Sequence, residues 1–465
     1  MKLEELKEKK ITVMGLGLHG GGIGTARFLS EAGAKVTVTD IKPKEELAPS
    51  LEKLKDIKGI NYVFNQHRPE DFVKADMVIK NPAASWGNKY IKMAEEANVP
   101  VEMDSTLFFK LCKNPIIGVT GTKGKTTASS LIFEILKEAG KNPIKVGVSQ
   151  TSVLDKLNEL EKDSTIVFEL SSWRLSGLGR YRLSPQIAVL VNIYPDHLNY
   201  YKSMEEYIRD KKFIFSNQKR DDFCVINADD EIISRLIPEI KSQRILFSKE
   251  KVEKSRAVYI SSGAIYANDG IDEKKVLDVS DIKLRGAHNL GNIMAAIGAT
   301  WAYGVDLAVA KKAVLEFKGV PHRLEFIREL DGVKFYNDTA ATTPESAMSG
   351  LGSFSEPVVL ICGGAEKNLS MEEFSKEAHK KAKEIVFLEG QATEKMVKFI
   401  KETDDQFNDS NLIIAKTMEE AVELAKQKSE SGDVILLSPG ASSFGMFLNE
   451  FDRGDKFREA VKRLK

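Results

Sequence analysis

Cysteine is scarce in this chain. Cys112, Cys224 and Cys362 lie far apart, and no C-x-x-C pair occurs. That excludes a disulfide framework and a cysteine-held zinc site, and it fits a reducing compartment. Net charge is missing too: Lys plus Arg number 68 and Asp plus Glu 68. No global field therefore draws the chain to nucleic acid or to an anionic membrane. No apolar run reaches the length of a bilayer span, and the first ten residues are rich in Lys and Glu rather than forming an apolar signal segment. Self-similarity at the solenoid period of about 20–50 residues is absent as well. These absences are those expected of a cytoplasmic protein without nucleic-acid or membrane partners. At 465 residues the chain exceeds one core, so two or three domains are expected.

What is present is a set of glycine-rich loops. Ile116 to Val119 is a short apolar run, the pattern of a buried strand, and Thr120 to Thr127 is a loop of small, polar and glycine residues. From Ala128, apolar residues recur at helical spacing (Leu131, Ile132, Ile135, Leu136), and Gly140 ends the helix. In such a strand–loop–helix unit, glycines turn backbone N–H groups inward and the helix N-terminus adds positive potential. An ammonium (Lys125) and a hydroxyl (Thr126) at that mouth suit phosphate and Mg²⁺. Gly121, Thr122, Lys123, Gly124, Lys125, Thr126 and Thr127 are the expected phosphate contacts. The G-x-x-x-x-G-K-[ST] pattern is matched except at its first glycine, where Val119 stands between Gly118 and Gly121. An ordinary glycine-rich turn is the alternative reading.

A second glycine loop lies earlier. Ile11 to Met14 reads as a strand running into Gly15-Leu16-Gly17-Leu18-His19-Gly20, which satisfies G-x-G-x-x-G. A helix through Arg27 to Glu31, a stop at Gly33, and a strand Lys35 to Thr39 place Asp40 at the Rossmann spacing for an acid that meets a ribose. Taken alone this predicts NAD, although any nucleotide with a pyrophosphate and a ribose would suit the loop. Met77 to Ile79 is a later strand, with Asn81-Pro82 opening the loop at its end. Around residue 113 the phosphate-loop unit begins a second domain. There Thr165 to Phe168 is a strand ending at Glu169, a place suited to holding Mg²⁺. The strand Gln186 to Asn192 delivers Pro195-Asp196-His197, and Tyr207 to Lys212 sits on a helix. Short alternating runs between about 240 and 285 read as a small antiparallel addition. Gly286-Ala287-His288-Asn289 and Asn292 open a helix through Tyr303. Gly319-Val320-Pro321-His322-Arg323 reads as a hinge. Beyond it strands end at Asp338, Gly363, Leu388 and Ser438, and a last amphipathic helix spans 455–464. The fold expected is α/β with three domains: a Rossmann-like domain over 1–112, a phosphate-loop domain with a mainly parallel sheet over 113–319, and a second Rossmann-like domain over 320–465.

Eight runs appear together and in order: GVTGTKGKTT from Gly118, ELSSWRL from Glu169, NIYPDHL from Asn192, GAHNLGNIMAA from Gly286, VPHRLE from Val320, YNDTAATTPES from Tyr336, GGAEKN from Gly363, and SPGASSF to RGDKF from Ser438. With these runs the chain resembles the Mur ligase family, ATP-dependent amide-forming enzymes of cell-wall precursor synthesis, and within it the glutamate-adding branch. The resemblance implies that UDP-N-acetylmuramoyl-L-alanine and glutamate are joined through an acyl phosphate, by a monomer. It implies that Lys125 holds the β- and γ-phosphates, that Thr126 and Glu169 hold one Mg²⁺, and that His197 helps bind a second. Lys211 matches a lysine carbamylated in many members, with Lys212 as the alternative register. Asn289 and Asn292 would face adenine, and Arg323 and Asp338 would grip phosphate and ribose. Lys367, Thr342, Ser443 and Phe444 would meet the amino acid. Gly17, Leu18, His19, Asp40 and Asn81 would meet the uridine diphosphate, which turns the Rossmann-like glycines into a UDP site rather than an NAD site.

Three runs depart from the family pattern. Asp338-Thr339-Ala340-Ala341-Thr342-Thr343 stands where many D-glutamate ligases have Asp-Ser-Lys-Ala-Thr-Asn. Glu450-Phe451 replaces an aromatic-then-acid order, and Val146 to Gln150 lacks the Gly-Gly-Asn-Ile-Gly run. D-glutamate therefore stands as the expected acceptor, with L-glutamate or another acidic amino acid as the alternative. A folylpolyglutamate-synthetase-like ligase, an NAD(P)-dependent oxidoreductase and a non-catalytic nucleotide-binding protein are the competing readings.

Overall fold

The computed structural model describes residues 1–18, 20–148, 152–195, 200–366, 369–404, 406–407 and 412–465, and only the backbone of Ala287. Among them the strands form three sheets. The first comprises β1 (Lys10–Met14), β2 (Lys35–Thr39), β3 (Asn61–Val63), β4 (Met77–Lys80) and β5 (Val101–Glu102), all parallel, in the order β3-β2-β1-β4-β5. The strand order reverses between β1 and β4, and a doubly wound sheet opens a crevice at such a point.

The second sheet comprises β6 (Ile116–Thr120), β7 (Asn142–Val146), β8 (Ser164–Glu169), β9 (Ile187–Leu190), β10 (Phe223–Asn227), β11 (Gln243–Ser248), β12 (Ala257–Ser261), β13 (Ala264–Asn268) and β14 (Glu273–Asp278). Its order is β14-β13-β12-β11-β10-β9-β6-β8-β7, with only the β12–β13 and β13–β14 pairings antiparallel. The antiparallel addition expected between 240 and 285 is this β12–β14 meander. β6 lies between β8 and β9, so the loop after β6 is flanked by the ends of both. Every residue of β6 is buried, as a central parallel strand covered on both faces requires.

The third sheet comprises β15 (Glu325–Leu330), β16 (Val333–Asn337), β17 (Val358–Gly363), β18 (Ala382–Leu388), β19 (Ile413–Ala415) and β20 (Val434–Leu437). Its order is β15-β16-β20-β17-β18-β19, parallel except for the β15 edge. By compactness the chain divides into two units. One holds the first two sheets (1–281 and 291–315), and the other holds the third (282–290 and 316–465). Among the described residues no helix is long and apolar enough to cross a membrane.

Three element boundaries differ from the sequence expectation. The helix after the phosphate loop is Lys125–Glu138, one turn earlier than Ala128, because its first turn caps the loop and only later turns meet the core. β9 is shorter than 186–192: the Gln186 side chain accepts from the Ile116 N–H, and Asn192 turns aside to the glycine loop. The last helix is Glu450–Arg463, since Asn449 caps it by accepting from the N–H groups of Phe451 and Asp452.

That last helix carries Arg453, which is 0% exposed. Its guanidinium donates to the Thr339 hydroxyl at 2.9 Å, the Thr339 carbonyl at 3.0 Å and the Ala441 carbonyl at 3.2 Å. Burial pushes its pKa down to about 10. One buried cation thus ties the loop after β16 to the loop after β20. Arg453→Leu strands two carbonyls and a hydroxyl. It is expected to cost about 2–4 kcal/mol of stability, at about 1–3 kcal/mol per orphaned polar group with partial relaxation. Urea unfolding followed by tryptophan-independent circular dichroism checks this, an unchanged midpoint being the contrary result.

Candidate functional site

The loop after β6 is held from behind. Asn192 Oδ1 accepts from the Lys123 N–H at 2.9 Å, and its Nδ2 donates to the Lys123 carbonyl at 3.0 Å. The Thr122 N–H donates to the Asn192 carbonyl, while its hydroxyl accepts from the Tyr194 N–H at 2.9 Å and lies 3.1 Å from the Tyr207 hydroxyl. Gly124 has φ +80, and a Cβ there would stand 2.3 Å from Asn292 Oδ1. Glycine is required on both counts, strain and space. The Lys125 ammonium reaches back to the Gly121 and Thr122 carbonyls at 3.0 Å each. It therefore lies over the mouth of the loop, where it can meet phosphate oxygens.

Thr126, in the first turn of the helix, donates to Glu169 Oε1 at 3.2 Å, joining that turn to the end of β8. Glu169 Oε2 is buried and has no hydrogen-bond partner among the described residues. A buried carboxylate oxygen without a donor, beside a hydroxyl and a glycine loop, has the chemistry of a hard-cation ligand. The donor set therefore fits Mg²⁺ at Thr126 and Glu169. No group of three or more His, Cys, Asp and Glu converges among the described residues, and His197 lies outside them.

Lys211, on the helix Met204–Lys212, is 1% exposed, and its ammonium sits 4.7 Å from the Tyr207 ring centre. Through the Tyr207 hydroxyl this helix touches Thr122 of the phosphate loop. Lys212 instead turns outward and pairs with Glu239. Asp210 is also buried, and desolvation raises its pKa to about 6.

In the first sheet, the ends of β1 and β4 frame a cleft of about 220 Å³. Its walls include Gly15, Gly17, Leu18, Gly22, Lys80 and Asn81, with Asp104 and Arg174 beside them. Asp40 stands behind the loop rather than in the wall. It is 5% exposed, its Oδ2 accepts from Leu16 N–H (2.9 Å) and Gly17 N–H (3.0 Å), and its Oδ1 accepts from Lys42 N–H. Asp40 directly follows β2, the position the spacing rule gives it, and its carboxylate braces the glycines. His19 lies outside the described residues. Arg174 donates to Asp104 Oδ2 and to the Gly147 carbonyl at 3.3 Å each, and its Nε is buried without a partner among the described residues. Lys80, Asp104 and Arg174 were not singled out from the sequence. Lys80 had a signal, a charge ending the apolar run Met77–Ile79; the other two had none.

In the third sheet, Asp338 directly follows β16. It accepts from the Ser438 hydroxyl at 2.9 Å and the Leu324 N–H at 3.1 Å, and burial raises its pKa to about 7 against those bonds and the Arg323 charge. Arg323 itself is exposed, between His322 and Leu324, both in left-handed conformation. Thr342 is half-buried and Ser443 buried, on the two loops that Arg453 ties together, and Phe444 is 66% exposed. Lys367 lies outside the described residues. Asn289 and Asn292 lie on the helix Ala287–Ala302, both buried; Asn289 donates to the Arg285 carbonyl.

Known proteins match this arrangement along nearly the whole chain. Residues 9–102 match the description "Mur ligase MurD-like, N-terminal domain", 119–300 "Mur ligase middle domain", and 322–440 "Mur ligase, glutamate ligase domain". The chain is 40% identical to a UDP-N-acetylmuramoylalanine--D-glutamate ligase of Roseiflexus sp. (strain RS-1), covering 98% of this chain and 99% of the relative. It is 38% identical to the protein of that name from Clostridioides difficile (strain 630), covering 99% and 100%. Among solved structures, UDP-N-acetylmuramate-alanine ligase MurC of Thermotoga maritima superposes with a TM-score of 0.56 at 24% identity, over 98% of this chain and 100% of that one, a likeness of fold. An oxidoreductase reading of the first glycine loop does not survive these matches, because the domain that carries it is itself matched as a ligase domain. The chain belongs to the Mur ligase family.

Proposed function

We propose that the chain is an ATP-dependent ligase that joins glutamate, the D-enantiomer first, to UDP-N-acetylmuramoyl-L-alanine in peptidoglycan precursor synthesis. The names of its full-length relatives support this, and the observation that carries the chemistry is the Thr126–Glu169 pair at the mouth of the loop, with Glu169 Oε2 buried and unpartnered. The working division is 1–112 for the nucleotide-sugar, 113–319 for ATP and 320–465 for the amino acid, in a cytoplasmic monomer.

A carboxylate is a poor electrophile. Its oxygen first attacks the γ-phosphorus of ATP, and ADP leaves; the glutamate amine then attacks the acyl carbon, and phosphate leaves. Most of the catalysis is positioning and charge neutralisation. Lys125 meets the phosphate oxygens as they gain charge. Thr126 and Glu169 would hold one Mg²⁺ and His197 would help hold a second, and that positive charge would offset the repulsion between two anions that must approach. Lys211 is favoured over Lys212 as the carbamylated residue, because it is shut from water beside the loop while Lys212 is paired at the surface. Carbamylation converts that cation into an anionic ligand. Asn292 flanks Gly124, consistent with a place beside the nucleotide, with Asn289 one turn earlier on the same helix. Arg323 and Asp338 are assigned to the nucleotide's phosphate and ribose. Thr342, Lys367, Ser443 and Phe444 are assigned to the amino acid, and Gly17, Leu18, His19 and Asn81 to the uridine diphosphate, with Asp40 acting through the loop it braces.

Phosphate release is expected only when ATP, UDP-N-acetylmuramoyl-L-alanine and glutamate are all present, and faster with D- than with L-glutamate. Release at the full rate without glutamate contradicts the reading, and a preference for the L-enantiomer moves the acceptor assignment. Glu169→Gln is expected to lower turnover by about 100-fold or more, the scale of losing a group that anchors transition-state charge, and to raise the Mg²⁺ needed for half-maximal rate. A carbamate forms reversibly, so wild-type activity should fall in CO₂-depleted buffer and return with bicarbonate. Lys211→Ala should be inactive under both conditions while keeping its circular dichroism spectrum, and full activity in that variant removes Lys211 from the chemistry.

A further inference from the structure

Lys80 is a buried cation that the chemistry above leaves unused. It ends β4 at the switch point of the first sheet and is 1% exposed. Its ammonium donates to the carbonyls of Asn81 at 3.1 Å and Pro82 at 3.4 Å, and it lies 4.6 Å from the Trp86 ring centre. Among the described residues no carboxylate forms an ion pair with it. Asp104, the acid that faces it from the helix Asp104–Leu111, is instead bonded to Arg174. From the helix Ser172–Arg180, Arg180 faces it with like charge and stacks on the same Trp86 ring at 3.9 Å. Trp86 is fixed in turn by its Nε1–H donating to Ser176 at 2.9 Å.

A lysine buried without an acid is costly unless a nearby anion repays it. Lys80 is one of the residues that line the cleft, together with Gly15, Gly17, Gly22 and Asn81. We propose that Lys80 is the counter-charge for the diphosphate of the nucleotide-sugar, and that its bonds to the Asn81–Pro82 carbonyls set the loop that closes on that group. This rests on the assignment of the cleft to the donor. A diphosphate diester is a dianion held mainly by neutral N–H groups, and a nearby ammonium in low dielectric adds both attraction and register. Lys80 is a positioning residue: it acts on the donor through charge and through the 81–83 turn, with no part in bond making.

The linkage has a definite sign. In the free protein the Lys80 pKa is lowered to about 7, by burial first, with Asp104 opposing and Arg180 adding to the shift. A bound dianion favours the ammonium, so above that pKa donor binding takes up a proton, and affinity falls as pH rises. Near pH 6 the amine is already protonated and uptake disappears.

Titration calorimetry of the full chain with UDP-N-acetylmuramoyl-L-alanine, in pairs of buffers of different ionisation enthalpy from pH 6 to 8.5, measures this directly. The donor has no group of its own that titrates in that range. Uptake should approach one proton at the upper end in the wild type. Lys80→Met should lose the uptake and bind the donor roughly ten-fold or more weakly, the scale of one charge-assisted contact, with ATP binding unchanged. Lys80→Arg keeps a charge that does not titrate, so it should bind at near wild-type strength with no uptake, a pattern that a purely structural role does not produce. Donor binding in the wild type with no uptake, or Lys80→Met with unaltered affinity, overturns the role of Lys80 and leaves the ligase reading standing. Failure of the wild type to bind the donor overturns both.

Discussion

A loop that binds anions through its backbone must keep its N–H groups pointing outward, so its shape has to be held by atoms on its other side. Each half of the larger unit meets this demand from the end of a neighbouring strand. Asp40, one residue past β2, takes the N–H groups of Leu16 and Gly17. Asn192, just past β9, clamps both the N–H and the carbonyl of Lys123, and Thr122 is latched to Tyr194 and Tyr207. In the smaller unit the bond between Asp338 and Ser438 joins the ends of β16 and β20. The strand orders make this possible, because parallel neighbours deliver their carboxyl ends to the same edge.

Glycine serves the same demand from the other direction. A Cβ at Gly22 would stand 2.4 Å from the Gly15 and Leu16 carbonyls, so the helix that follows the first loop can approach it only with a bare backbone. At Gly124 the limit is Asn292 as well as the left-handed backbone. Packing and binding are one constraint at both places: the close approach that excludes a side chain also aims the helix N-terminus at the loop.

The fold was legible because its signals are local. Apolar runs ended by glycine, Asp, Glu or Ser gave the strands and the edge on which they end, and the Asp40 and Glu169 positions follow from that pattern alone. What escaped was charge placed inside. Periodicity treats Lys80, Arg174 and Arg453 as surface residues, and their burial depends on carbonyls and rings contributed from distant segments: Thr339 and Ala441 for Arg453, Gly147 and Asp104 for Arg174. Which of Lys211 and Lys212 is buried was within reach. Tyr207 and Lys211 are four apart on one helix and share its buried face, whereas Lys212 is rotated away from it.

The chain's zero net charge conceals this internal distribution. A reaction that brings a carboxylate, a triphosphate and an acidic amino acid together needs positive charge where they meet, and surface lysines screened by salt supply little of it. A buried cation acts more strongly on an anion near it, because the same low dielectric that makes it costly strengthens the interaction. Lys80 and Arg453 carry that cost with carbonyl partners, which lower the penalty without cancelling the charge as a carboxylate would. Arg174 meets Asp104 through a single 3.3 Å contact and the Gly147 carbonyl through another. Partial satisfaction of this kind keeps a cation in place and still leaves its field available, so neutral partners serve an anion-handling enzyme better than closed ion pairs do.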